Sequence, residues 1–186
     1  MNIVLASQSP RRKELLSLIV EEFVVAPADI DETVREGESP KVYVQRMARE
    51  KARVVAEHYP QALVIGSDTT VVNDGVILGK PSSRAEARQM LRGMSGKTHE
   101  VYTSVKLQSV THSEEFISSA TVTFYELSEA DIETYLNREE YADKAGAYGI
   151  QGGAALFVKE IKGDYYSIVG FPVGAVSQAL KKITTI

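Results

Sequence analysis

Residues able to do chemistry fall into four groups along this chain of 186 residues. Ser7-Gln8-Ser9-Pro10-Arg11-Arg12 gathers hydroxyls, backbone N–H groups and two guanidinium forks at a helix start, which suits an anion such as phosphate. The same string is also what an ordinary N-cap with solvated arginines looks like. Glu32, in the acidic turn Asp29-Ile30-Asp31-Glu32, and Asp68, after an apolar run, are carboxylates from separate segments. Hard oxygen donors of that kind hold a magnesium ion when water and substrate phosphates complete its octahedron; an acidic turn can equally be a solvated one. Lys51 and Lys80, the latter in Gly79-Lys80-Pro81, offer compact ammonium groups to a polyphosphate or sit on the surface. The fourth group is the tract from Asp143 to Gly153, whose glycines permit close backbone approach to a ligand and whose Gln151 offers a donor and an acceptor, as base-edge recognition requires. A flexible loop is the other reading of that tract.

Several chemistries are set aside. With no cysteine in the chain there is no thiolate nucleophile, disulfide or Cys-ligated zinc. Gly93-Met94-Ser95-Gly96-Lys97-Thr98 resembles a phosphate-binding loop, but position 91, where the motif needs glycine, is Leu91. His58, His99 and His112 lack metal-binding helical spacing, and no Gly-x-Ser-x-Gly elbow exists. The net charge of −4 speaks against nucleic-acid binding, which leaves a basic footprint. No apolar run approaches a membrane span, and the first residues lack the basic and apolar regions of a signal peptide. A cytoplasmic protein is therefore the expectation.

The elements expected to position these groups interleave. A strand over Asn2 to Ala6 leads into a helix from Pro10 to Leu18, capped by Ser9. A short strand from Phe23 to Val25 follows, then a long amphipathic helix from Pro40 to about Glu57 carrying Val44, Met47, Ala48 and Lys51. Ala62 to Gly66 reads as a buried strand ending at Ser67-Asp68-Thr69, and strand ends are where α/β sheets place chemistry. Val71-Val72 and Val76 to Leu78 make a hairpin about the glycine-containing turn Asn73-Asp74-Gly75. Ser83 to Glu86 is a capping box opening a helix to about Arg92. Extended runs from Glu100 to Val110 and Glu115 to Tyr125 precede a capped helix from Ser128 to Asn137. After the glycine tract, Leu156 to Ile161 and Tyr165 to Val169 read as a hairpin, and Pro172 to Lys182 as a closing helix. The pattern predicts a mixed-sheet α/β domain without repeats or linkers.

Taken in order, the blocks Leu5-Ala6-Ser7-Gln8-Ser9-Pro10-Arg11-Arg12, Arg49-Glu50-Lys51-Ala52, Gly66-Ser67-Asp68-Thr69, Gly79-Lys80-Pro81, Leu91 to His99 and Asp143 to Gly152 resemble the Maf family of nucleoside triphosphate pyrophosphatases across nearly the whole chain. The resemblance implies an elongated α/β fold, similar to Maf and ITPase proteins, with a mixed twisted sheet flanked by helices, two lobes around a deep cleft, and residues 1–186 forming one domain. It implies Asp68 as proton acceptor, Glu32 and Asp68 as ligands of a divalent cation (Mg2+ or Mn2+), and Ser7, Arg12, Lys51 and Lys80 holding the triphosphate. The double arginine and the Ala-Gly-Ala-Tyr-Gly-Ile-Gln-Gly tract resemble the dTTP/UTP branch, so Arg11, Thr69 and Gln151 fall at positions tied to substrate choice. Ser67 stands where that pattern often has alanine. A homodimer and a role in clearing non-canonical nucleotides are implied as well. A nucleotide-binding regulator of septum formation without turnover is the alternative.

Overall fold

The computed structural model describes residues 2–184. Its mixed sheet has seven strands: β1 (Ile3–Ala6), β2 (Val24–Val25), β3 (Leu63–Asn73), β4 (Val76–Leu78), β5 (Thr98–Gln108), β6 (Ser113–Phe124) and β7 (Val158–Gly163). They lie in the order β2-β1-β3-β5-β6-β7, with β4 paired to β3. Helices α1 (Pro10–Ser17), α2 (Pro40–His58), α3 (Arg84–Met94), α4 (Glu129–Leu136), α5 (Tyr165–Val169) and α6 (Val173–Thr184) complete the α/β fold.

The chain divides into two compact units. The first comprises Met1–Asp68, Thr103–Ser118 and Gly170–Ile186. Here β1 runs parallel to both β2 and the first half of β3, pairing Val4 with Val24 and Ala6 with Gly66. Parallel strands need a crossover between them, which α1 and α2 provide. All four residues of β1 are buried, as expected of a strand covered on both faces. Val4, Ala6, Ala52, Val55, Ala62 and Val64 form one apolar cluster. Ser9 and Ser39 cap α1 and α2, each with proline following, so both helix starts form as the sequence predicts.

The second unit comprises Thr69–Tyr102 and Ser119–Val169. Its β3–β4 hairpin turns on Asp74 and Gly75 at φ 50° and 79°, the positive pair of a type I′ turn. Its core is a chain of edge-to-face rings, His99 on Phe124 and Tyr148, then Phe157 and Tyr135, with centroids 4.8 to 5.9 Å apart. Arg84 and Arg88 of α3 both bond Glu133 of α4, and Arg92 makes a two-pronged pair with Glu129.

Three local expectations are corrected. The strand through Ala62 to Gly66 does not end at Asp68: β3 continues to Asn73 because the β-branched run Thr69-Thr70-Val71-Val72 prolongs it and β4 pairs with its end. Tyr165 to Val169 is a helix, not a hairpin arm. Asp164 caps it, its side chain accepting from the Tyr166 N–H at 2.9 Å and its carbonyl from Ser167, and this local cap outweighs the strand-like residue types. Finally, Ser83 caps α3, but Glu86 reaches back to the N–H and hydroxyl of Ser82. The reciprocal box is made instead by Ser128 and Asp131 at α4.

Candidate active site

Side chains alternate along a strand, so Gly66 and Asp68 of β3 face the same way. A Cβ on Gly66 would lie 2.3 Å from the Ala48 carbonyl oxygen and 2.8 Å from the Ala52 nitrogen. Glycine is thus what lets α2 sit directly on β3, and one turn of α2 then delivers Lys51 to Asp68. The Lys51 ammonium donates to Asp68 Oδ1 at 2.6 Å and pairs with Glu32 Oε1 at 2.7 Å. Lys51 and Asp68 are 10% and 12% exposed at the side chain, whereas Glu32 is 46% exposed. Two carboxylates from separate segments therefore converge on one cation, with the Glu32 end open to water.

Ser67 points to the opposite face of β3. It is fully buried, its hydroxyl donating to the Gly170 carbonyl at 3.4 Å. Arg12 Nε donates to the same carbonyl at 2.9 Å. Gly170 adopts φ 117°, a region essentially closed to other residues. The Ser7 hydroxyl accepts from the Ser9 N–H at 3.1 Å and from Arg12 Nη1 at 3.3 Å, leaving its proton available to an incoming anion. Withdrawal from water lowers the Arg12 pKa; the Asp68 charge opposes this, Arg11 adds to it and Glu32 opposes it. The guanidinium stays charged and lies in the field of both carboxylates. Arg11, half-buried, stands next to it at the start of α1.

Donor chemistry decides whether this place suits a divalent cation. Among the described residues no group of three or more His, Cys, Asp or Glu could hold a metal ion. Magnesium, however, is commonly held by one or two carboxylates with substrate phosphates and water. Glu32 and Asp68, both hard oxygen donors already gathered around one positive charge, fit that use.

The remaining candidates lie in the second unit. Thr69 follows Asp68 on β3 and is half-buried; Lys80, after β4, and Gln151 are exposed. The glycine tract is not a loose loop. Added Cβ atoms would meet the protein's own side chains: Val71 at 2.9 Å from Gly146, Lys144 Cε at 2.6 Å from Gly149, Glu140 Oε2 at 2.1 Å from Gly152 and Arg138 at 2.9 Å from Gly153. Glu140 also accepts the Gly153 N–H at 2.8 Å, Lys144 donates to the Glu140 carbonyl, and the Gly146 N–H donates to the Gly79 carbonyl at 3.1 Å. The exposed Gln151 thus projects from a tightly braced backbone.

A family described as Maf-like protein matches residues 2–183. The dTTP/UTP pyrophosphatase of Bacillus cytotoxicus is 48% identical, covering 96% of this chain and 94% of that protein. Proteins of the same description from Latilactobacillus sakei, 46% identical over 96% and 98% of the two chains, and Clostridioides difficile, 48% identical over 100% and 97%, are similar in the same way. Among solved structures, that of the Staphylococcus aureus Ham1 protein is similar at TM-score 0.49 and 14% identity, covering 67% of this chain and 72% of that one.

Proposed function

The chain belongs to the Maf family, and on that premise we propose that it hydrolyses dTTP and UTP, and modified pyrimidine triphosphates with them, to the monophosphate and pyrophosphate. The observation that carries this reading is the meeting of Glu32 and Asp68 on the Lys51 ammonium. Relatives described as dTTP/UTP pyrophosphatases, matched over 96% or more of this chain, support the substrate assignment.

In this reading Asp68 orients the attacking water and takes its proton. Oxygen from water bonds to the α-phosphorus, the bond to the β-phosphate oxygen breaks, and pyrophosphate leaves. Lys51 has three N–H donors, two of them directed at Glu32 and Asp68; the third is left for a phosphate oxygen. Ser7, Arg12 and Lys80 bind the triphosphate, and Arg12 and Lys51 place positive charge where negative charge builds on the departing group. Glu32 and Asp68 would hold a divalent cation, Mg2+ or Mn2+, which would supply neutralisation of the phosphate charge. Arg11, Thr69 and Gln151 select the pyrimidine.

We read residues 1–186 as one functional domain of a homodimeric, cytoplasmic enzyme that acts on small nucleotides and not on nucleic acid, in a house-cleaning role that keeps non-canonical nucleotides from polymerases. Among the described residues no helix is long and apolar enough to cross a membrane. Hydrolysis of UTP in 18O-labelled water tests the bond cleaved. The expected result is one labelled oxygen in UMP and none in pyrophosphate; label in pyrophosphate or inorganic phosphate contradicts it.

A further inference from the structure

Glu32 lies in a segment without helix or strand, residues 26–38, yet it must hold its carboxylate against Lys51. Three contacts brace that segment, two from α2 and one from Glu38 within the segment itself. The Tyr43 hydroxyl donates to the Glu32 carbonyl at 3.0 Å. Arg46 Nη2 donates to the Thr33 carbonyl at 2.9 Å. Glu38 accepts the Arg35 N–H at 3.1 Å. Arg46 is the hub: its Nε and Nη2 grip the two oxygens of Glu38 at 2.7 Å each, and Glu50 lies 3.6 Å from Nη1. Arg46 and Glu38 are 10% and 6% exposed at the side chain, and the Tyr43 ring stacks against the guanidinium at 5.6 Å. Buried, two-pronged arginine–carboxylate pairs are geometrically specific in a way that lysine cannot reproduce.

We propose that Arg46, clasped by Glu38 and seated on Tyr43, is the positioning residue for Glu32. By fixing the Thr33 carbonyl onto α2, the helix that also carries Lys51, while Tyr43 fixes that of Glu32, it sets the Glu32 carboxylate at the point where Asp68 arrives from β3. Tyr43, Met47 and Lys51 follow one another at four-residue steps on α2, so clasp and site share one helical stripe. The Glu38 carboxyl is held down to about 2, first by its bonds to Arg46. Glu38 is therefore ionised near neutrality, and the pair keeps its charges there. The inference rests on the reading of Glu32 as a cation-holding carboxylate.

Two measurements on the full chain test it: the Mn2+ concentration giving half-maximal UTP hydrolysis, and hydrogen exchange of residues 29–38 in metal-free protein. Arg46→Met is expected to raise the Mn2+ requirement about 10–100-fold, the usual cost of losing a group that orients a metal ligand. It should speed exchange of the segment and recover most of the wild-type kcat at saturating Mn2+. Tyr43→Phe, which keeps the ring and the fold, is expected to do the same about 3–10-fold, as suits one hydrogen bond. A merely structural role lowers the active fraction while leaving the metal requirement unchanged. Glu32→Gln is the reference. If it raises the requirement and neither Arg46→Met nor Tyr43→Phe does, the clasp is overturned and the reading of the site stands. If Glu32→Gln itself leaves the requirement at the wild-type value, the cation role of Glu32 falls, and the inference with it.

Discussion

Around Asp68, position is set by charge: an ammonium bridges two carboxylates, a guanidinium lies in their field, and an arginine–carboxylate pair braces the loop behind Glu32. Around Gln151 it is set by exclusion, because four glycines let Val71, Lys144, Glu140 and Arg138 pack where side chains would otherwise stand. The first arrangement is expected to respond to removal of single charges, the second to added methyl groups. One region should therefore control rate and metal use, the other substrate choice and local stability.

The sharpest way to break that division is Asp68→Asn. It is expected to lower kcat roughly 10²–10⁴-fold, the span of general acid–base contributions, while the melting temperature stays near that of the wild type; retention of most of kcat removes Asp68 from the chemistry. Next comes acid stability of the second unit. Burial pushes His99 down to about 4 from 6.5, so the folded protein carries it neutral while the unfolded chain protonates it below 6.5. Stability is then full above about pH 6.5 and declines by about 3 kcal/mol as pH falls to 4. Urea unfolding at pH 7.5 and 4.5 measures the loss, and His99→Phe should flatten it; equal slopes in both proteins contradict the assignment. Gly146→Ala meets both φ 69° and Val71 at 2.9 Å, and should cost about 1–3 kcal/mol with the Mn2+ requirement unmoved. The smallest effect sharpens the comparison most: Gln151→Ala should change the ratio of kcat/KM between UTP and ATP about tenfold, the scale of one hydrogen bond, with kcat for UTP within a few-fold of the wild type. An unchanged ratio places base reading elsewhere.

Much of this frame is legible in residue types, and the reasons are local. Ser9-Pro10 and Ser39-Pro40 announce two helix starts, and Asp74-Gly75 announces a hairpin, because each signal acts within four residues. Lys51, Asp68 and Glu32 stand out as charges, but their meeting depends on Gly66 admitting α2, a contact between residues 48 and 66 that no short window contains. Arg46 and Glu38 are charges on an amphipathic helix and its approach with no local signal to mark them; only their mutual burial distinguishes them. Gly170 carries a weak signal, a glycine before Phe171-Pro172, yet its role as acceptor for Arg12 and Ser67 spans more than a hundred residues. The helix at Tyr165–Val169 shows the reverse case, in which a neighbouring aspartate outweighs strand-forming types.

Pyrophosphate and monophosphate release from canonical and modified nucleoside triphosphates, with and without Mg2+ or Mn2+, separates hydrolysis from binding alone. Cation-dependent release that is fastest with dTTP or UTP is the expected result. Fastest release with a purine triphosphate would contradict the pyrimidine assignment, and binding of every nucleotide without release would contradict the enzymatic reading itself.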